Sequence, residues 1–239
     1  MRYAVIAAGE GSRLASEGIT SPKPLVQVGG ERLIDRLLRF FVGCGATDVV
    51  VICNEQMTAV RQHLAALSQS SQVPLRYLVK STPSSMHSLW ELSPWLADEP
   101  FVLTTVDTVF REEEFKAYIS AFRRLVEQGR GDGLMGVTDY IDDEKPLYVS
   151  TADDLRITAF LDRCDDPHFV SGGIYGLTPR SLDTLRHCIQ RGDSRMRNFQ
   201  RALLTDGLRL QAYPFSKVLD IDHAADIPKA EAFININKV

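Results

Sequence analysis

Cysteine is sparse in this chain of 239 residues, and the four present, Cys44, Cys53, Cys164 and Cys188, lack the close pairs that hold structural zinc. The five histidines, His63, His87, His168, His187 and His223, form no metal-ligand spacing either. No sequence signal ties a cysteine to a histidine as nucleophile and base. Long apolar runs are missing: Ala4-Val5-Ile6-Ala7-Ala8 follows Met1-Arg2-Tyr3 and stops at Gly9. That stretch is too short to cross a membrane and has no secretory pattern, so a cytoplasmic chain with buried, inert thiols is expected, without a membrane partner. Basic runs are missing too. The 27 Lys and Arg against 31 Asp and Glu leave a net charge of -4, which argues against nucleic acid, whose phosphate backbone is normally met by a basic patch. Aromatic residues are scattered at core spacing and make no stacking platform. There is no internal repeat, heptad run or low-complexity segment.

What is present is a composition of 44% hydrophobic and 24% charged residues, that of a globular protein long enough for one domain with a modest insertion. Residues 2–8 read as a fully buried strand and Gly9-Glu10-Gly11-Ser12 as the turn leaving it. In residues 31–43, Leu33, Ile34, Leu37, Leu38 and Phe41 fall on one helical face. Strands follow at 48–52, 75–79 and 101–106, separated by helices at 55–68 and 86–96. This alternation predicts an α/β fold, a mostly parallel sheet covered on both faces. Right-handed crossovers then bring the loops at 9–24, 53–55, 80–86 and 107–109 to the carboxyl ends of the strands, where such sheets bind ligands. The second half is less regular: helices at 111–129, 179–190, 195–206 and 226–234, strands at 134–138, 147–150, 156–160, 169–176 and 208–214, and an acidic loop at 139–146. A single domain over 1–239 is expected. Residues 1–110 would be its nucleotide-binding half and 111–239 its acceptor-binding half, the smaller lobe lying between 139 and 215.

Three features carry chemistry. In Ala7-Ala8-Gly9-Glu10-Gly11-Ser12-Arg13-Leu14, glycines after a buried strand let backbone N–H groups approach phosphate oxygens, or simply make a turn. Arg13 and Lys23 add positive charge. No Gly-Lys-Ser/Thr ends this loop and the third glycine of a dinucleotide fingerprint is absent, so neither a Walker loop nor that fingerprint applies. Asp107 ends an apolar strand, where a carboxylate either faces a cleft, binds a cation or caps the helix near 111. Asp220-Ile221-Asp222 sends two carboxylates to one face of an extended segment, an arrangement that favours a cation between them. Lys217, just before, could neutralise a phosphate or make a surface ion pair.

Gly9, Gly11, Ser12, Arg13 and Leu14 together with Pro22, Lys23, Pro24 and Leu25 resemble the signature of the sugar-nucleotidyltransferase family, the nucleoside-diphosphate-sugar pyrophosphorylases. The resemblance is closest to the small bacterial members and to choline-phosphate cytidylyltransferases. It implies a Rossmann-like sheet and a magnesium-dependent nucleotidyltransferase of sugar-nucleotide biosynthesis. Such an enzyme moves a nucleoside monophosphate from a nucleoside triphosphate to a sugar 1-phosphate or similar small phosphate ester. By resemblance the loop including Ala7, Ala8, Gly9, Gly11 and Ser12 holds the triphosphate, and Arg13 and Lys23 steady the pyrophosphate. Ser84, Ser85 and Met86 meet base and ribose. Asp107 and Asp222 hold Mg2+, with Asp220 beside them. Gly172, Gly173 and Tyr175, in a segment where Ser171 replaces a common asparagine, line the acceptor pocket, with Lys217 or Lys145 on the acceptor phosphate. Val106 stands where a small residue is usual. Choline-phosphate cytidylyltransferase, or a non-catalytic nucleotide- or sugar-phosphate-binding regulator, is the alternative, and a homodimer is left open.

Overall fold

A computed structural model describes residues 1–235; the last four residues of the expected domain lie outside the described residues. From the amino end, β1 (Arg2–Ala7) leads through helix α1 (Ser12–Ser16) and a tight turn (Lys23–Leu25) to β2 (Gln27–Val28) and β3 (Glu31–Arg32). Then follow α2 (Leu33–Gly43), β4 (Asp48–Cys53), α3 (Thr58–Ser70), β5 (Leu75–Val79), α4 (Ser85–Leu92), β6 (Phe101–Thr105), β7 (Thr108–Val109) and α5 (Glu112–Glu127). The second half runs β8 (Gly133–Thr138), β9 (Tyr148–Thr151), β10 (Ile157–Leu161), β11 (Phe169–Leu177), α6 (Ser181–Gln190), α7 (Met196–Thr205), β12 (Leu210–Phe215), β13 (Leu219–Asp220) and α8 (Asp226–Asn235).

Nine strands form one mixed sheet, the helix-covered sheet that the alternation predicts. β1 is central: β4 and β6 pair with it in parallel on either side, and β5 extends β4. The chain builds outward from β1 to β5 and then returns to β6 on the other side. That reversal opens a crevice at the carboxyl ends of β1 and β6, where open α/β sheets bind ligands. β11 runs antiparallel to β6 and carries β8 and then β12, while its first residues pair with β9 of the β9–β10 hairpin.

Alternation along β1 divides the core. Tyr3, Val5 and Ala7 point into a cluster with Leu37, Phe40 and Phe41 of α2 and Phe115, Tyr118 and Phe122 of α5. Ala4, Ile6 and Ala8 point the other way, toward Met86 and Leu89 of α4, Leu185 of α6 and Phe199 of α7. Phe115 is fully buried, its ring centroid 4.9 Å from that of Phe110. Burial of such a side chain contributes about 1.5–3 kcal/mol.

α2 begins at Leu33 rather than 31 because Glu31 and Arg32 pair back onto Gln27 and Val28. The turn between them is Gly29-Gly30, both at positive φ (62° and 81°), the conformation that a two-residue hairpin requires. No helix among the described residues is long and apolar enough to cross a membrane. All four cysteines are free thiols. Cys44, Cys53 and Cys188 are buried, and burial pushes each thiol up, that of Cys188 to about 11.

Candidate active site

The glycine loop leaves β1 at the crevice. Gly11 takes φ 64° and starts α1, and a Cβ at that position would lie 3.3 Å from Lys23 Cβ. The loop therefore closes directly onto Lys23, held in the turn framed by Pro22 and Pro24. Lys23 is 9% exposed, and its ammonium reaches Asp107 Oδ2 at 2.5 Å and Asp222 Oδ1 at 2.6 Å. Burial works against its charge, but Asp107 and Asp222 outweigh that and hold the ammonium well above the ordinary lysine range. Arg13 reaches the other oxygen of Asp222 at 3.0 Å.

The late carboxylates arrive through a short pairing. β13 runs antiparallel to β7, with Asp220 opposite Thr108, and the Ile221 N–H donates to the Asp107 carbonyl at 3.1 Å. Ile221 is fully buried, while Asp220 and Asp222 both line the cleft. Asp220 accepts from the Thr108 hydroxyl at 3.3 Å. Its side chain is open to solvent on one side, yet desolvation by the crowded cleft floor, then the like charges of Asp107 and Asp222, push its carboxyl well above the usual carboxylate range. Among the described residues, no three histidine, cysteine, aspartate or glutamate side chains stand closely enough to grip a metal ion by themselves.

On one side of Lys23 and Asp107 lies a cleft of about 610 Å³ lined by Ala8, Gly9, Gly11, Ser84 and Ser85. On the other lies a cavity of about 300 Å³ reached by Arg13, Asp220, Asp222, Ser171 and Gly172. Gly172 admits Val218, whose Cγ2 would be 3.1 Å from an added Cβ, and Gly173, at φ 70°, admits the Thr108 hydroxyl.

Other expected residues fall elsewhere. Ala7 and Met86 are buried core residues, because alternation along β1 turns Ala7 to the face opposite Ala8 and the first turn of α4 directs Met86 into the sheet. Ser12 is exposed at the start of α1 and lines neither space. Tyr175 packs on the α4–α6–α7 side of the core, yet its phenol, raised by burial, lies close enough to Ser171, Asp220 and Asp107 to feel each of them beneath the smaller cavity. Lys217 lines neither space. Its ammonium lies 3.7 Å from the centroid of the Tyr140 ring, a cation–π contact that the sequence does not disclose.

Several lining residues are not singled out by the sequence, although the loops at 53–55 and 80–86 are expected here and Lys145 is expected near the acceptor phosphate. Asn54, Ser81, Thr82 and Ser88 line the larger cleft, and Asn54 bridges the loops after β1, β4 and β5. A third space of about 570 Å³ shares Glu144 and Pro146 with the smaller cavity and is lined by Lys145, Arg195, Arg197 and Arg201. Arg197 and Arg201 both pair with Asp162, whereas Lys145 and Arg195 make no ion pair among the described residues. Arg195 sits at φ 74° and ψ 141°, with its N–H 3.4 Å from Ser84 Oγ.

The family model described as nucleotidyl transferase matches residues 3–237. The chain is 29% identical over 161 residues to CMP-5'-(3-aminopropyl)phosphonate synthase of Streptomyces rubellomurinus, a match covering 61% of this chain but only 25% of that protein. It is 25% identical to UTP--glucose-1-phosphate uridylyltransferase AglF of Haloferax volcanii, over 97% of this chain and 95% of that one. The inositol-1-phosphate CTP transferase from T. maritima shares the fold with a TM-score of 0.79 at 19% identity, covering 99% of this chain and 96% of that one.

Proposed function

Because the chain belongs to the nucleotidyl transferase family, we propose that it moves a nucleoside monophosphate from a nucleoside triphosphate to a sugar 1-phosphate or similar small phosphate ester, with release of pyrophosphate. Nucleotidyl transfer comes with the family; the acceptor, the metal and the residue roles are the proposal. The observation that carries it is the meeting of Arg13, Lys23, Asp107 and Asp222 between two adjoining spaces.

In this reading the triphosphate occupies the larger cleft, over Gly9 and Gly11. Lys23 and Arg13 hold the pyrophosphate as charge develops on it, a role that oriented cations fill without moving. The acceptor enters from the smaller cavity. A phosphate monoester is already a nucleophile near neutral pH, which is why no serine, cysteine or histidine base is required. Lys145 and Arg195 are suited to its phosphate, since neither is neutralised by a carboxylate.

The donor set suits Mg2+, a hard cation that takes carboxylate oxygen, and the crowding of Asp107, Asp220 and Asp222 around one ammonium calls for further positive charge. Asp107 and Asp222 would hold the ion, which supplies charge neutralisation at the reacting phosphates.

A second reading concerns the acceptor. The smaller cavity is lined by Asp142, Asp143 and Glu144 as well as the cleft aspartates, and its Lys229 is already paired with Asp142. Such a lining favours an acceptor that also carries a cationic amine, such as phosphocholine or an aminoalkylphosphonate, the latter named by one relative. The test is pyrophosphate release with Mg2+, the four ribonucleoside triphosphates and a panel of sugar 1-phosphates and amino-bearing phosphate esters. Release with one pair, abolished in a folded Asp107→Ala variant, supports the reaction and names the acceptor. Nucleotide binding without release across the panel would favour a binding-only regulator.

A further inference from the structure

Asn54 is 6% exposed and its amide is oriented from both ends. The Gln56 N–H, which can only donate, reaches Oδ1 at 2.9 Å, and the Ala8 carbonyl, which can only accept, receives Nδ2 at 3.3 Å. The Oδ1 atom therefore faces Ser81, whose Oγ is 3.0 Å away, and opposite a carbonyl oxygen the Ser81 hydroxyl has to donate. Its single proton is engaged within the protein, so the cleft meets lone pairs alone. Thr82 stands beside it, its hydroxyl 3.3 Å from the Ser84 carbonyl and 2.6 Å from the Ser88 hydroxyl, a pair in which either oxygen can donate. Both Ser81 and Thr82 line the larger cleft.

A hydroxyl oxygen that can only accept answers a donor and disfavours a carbonyl. Cytosine carries an exocyclic amine where thymine and uracil carry a carbonyl oxygen. We infer that the Asn54–Ser81 pair selects a nucleoside triphosphate whose base bears an exocyclic amine at this edge, cytosine among the pyrimidines. The inference rests on the larger cleft being the nucleotide site and goes beyond it by naming the base and the hydroxyl that reads it.

The experiment is titration calorimetry of the whole protein with CTP, UTP, ATP and GTP in the presence of Mg2+, alongside Ser81→Ala and Asn54→Ala. CTP is expected to bind at least about tenfold more tightly than UTP, the ratio that one mismatched hydrogen bond produces. Ser81→Ala lowers that ratio toward one by losing affinity for CTP. Asn54→Ala frees the Ser81 proton and raises affinity for UTP; should it fail to fold, Ser81→Ala decides alone. Equal or tighter binding of UTP by the unmodified protein overturns the inference. Equal losses of CTP and UTP affinity in Ser81→Ala also overturn it, because they would put Ser81 against the ribose. Absence of binding by all four triphosphates overturns this inference and the nucleotide reading together, whereas indiscriminate binding overturns base selection alone.

Discussion

Lys23 and Asp222 are 199 positions apart in the chain and 2.6 Å apart in the fold. The same ammonium touches Asp107, so one buried cation holds the first and last thirds of the chain together at the cleft. Removing it leaves three carboxylates facing one another without their central counter-ion. Lys23→Met is expected to lower both the melting temperature and turnover, the latter by about 100-fold or more, the scale on which a lost oriented charge acts. Lys23→Arg should rescue little, because a planar fork does not fit a slot shaped for a point charge. Calorimetric melting and pyrophosphate release check the two effects separately.

Asp222 and Asp220 should not be equivalent. Asp222 meets both Lys23 and Arg13, whereas Asp220 accepts a long hydrogen bond from Thr108 and touches neither cation. Asp222→Asn is expected to reduce kcat about 100-fold, and Asp220→Asn by about tenfold or less. Equal losses in the two variants would reverse the assignment of the principal carboxylate.

Gly11 offers a test of the loop. Its φ of 64° suits glycine, and an added Cβ would sit 3.3 Å from Lys23 Cβ. Gly11→Ala is expected to destabilise the fold by about 1–2 kcal/mol through the left-handed backbone. It should also weaken triphosphate binding by displacing Lys23. Binding that survives while stability falls would mean that the loop's shape is structural only.

Much of the first half of the chain is legible in the sequence because its strands are long, apolar and buried on both faces. β1, β4 and β6 declare themselves, and Asp107 stands out as a carboxylate at the end of one of them. The β7–β13 ladder is invisible by comparison. Each strand has two residues, too few for any periodicity, and Thr108 and Asp220 lie 112 positions apart. The Asp-Ile-Asp pattern still gives the facing of the segment: Ile221 is buried and the two aspartates line the cleft. Lys217 shows the opposite limit: a lysine beside a candidate site reads as a phosphate ligand, and only the fold reveals the Tyr140 ring beneath it. Ala7 lies within a motif that resembles a ligand loop, yet strand alternation commits its side chain to the core.

Arg195 is the residue whose backbone argues most directly for a role. At φ 74° and ψ 141° it occupies a region that is essentially glycine's, a strain of about 1–3 kcal/mol. Glycine at this position would relieve that strain and lose about 0.5–1 kcal/mol through the flexibility of the unfolded chain. The balance runs from near zero to about 2.5 kcal/mol in favour of glycine, a rise of up to several degrees in melting temperature. An arginine stands here although it does not stabilise the backbone, beside Lys145 and against the loop of Ser84. Arg195→Gly is therefore expected to melt at the same or a higher temperature while KM for the phosphate-bearing acceptor rises about tenfold or more, with nucleotide affinity less affected. Arg195→Lys should keep part of the charge and recover part of the KM while retaining the strain. A glycine variant that melts lower and binds acceptor normally would assign Arg195 to the packing of α7 and remove it from the acceptor site.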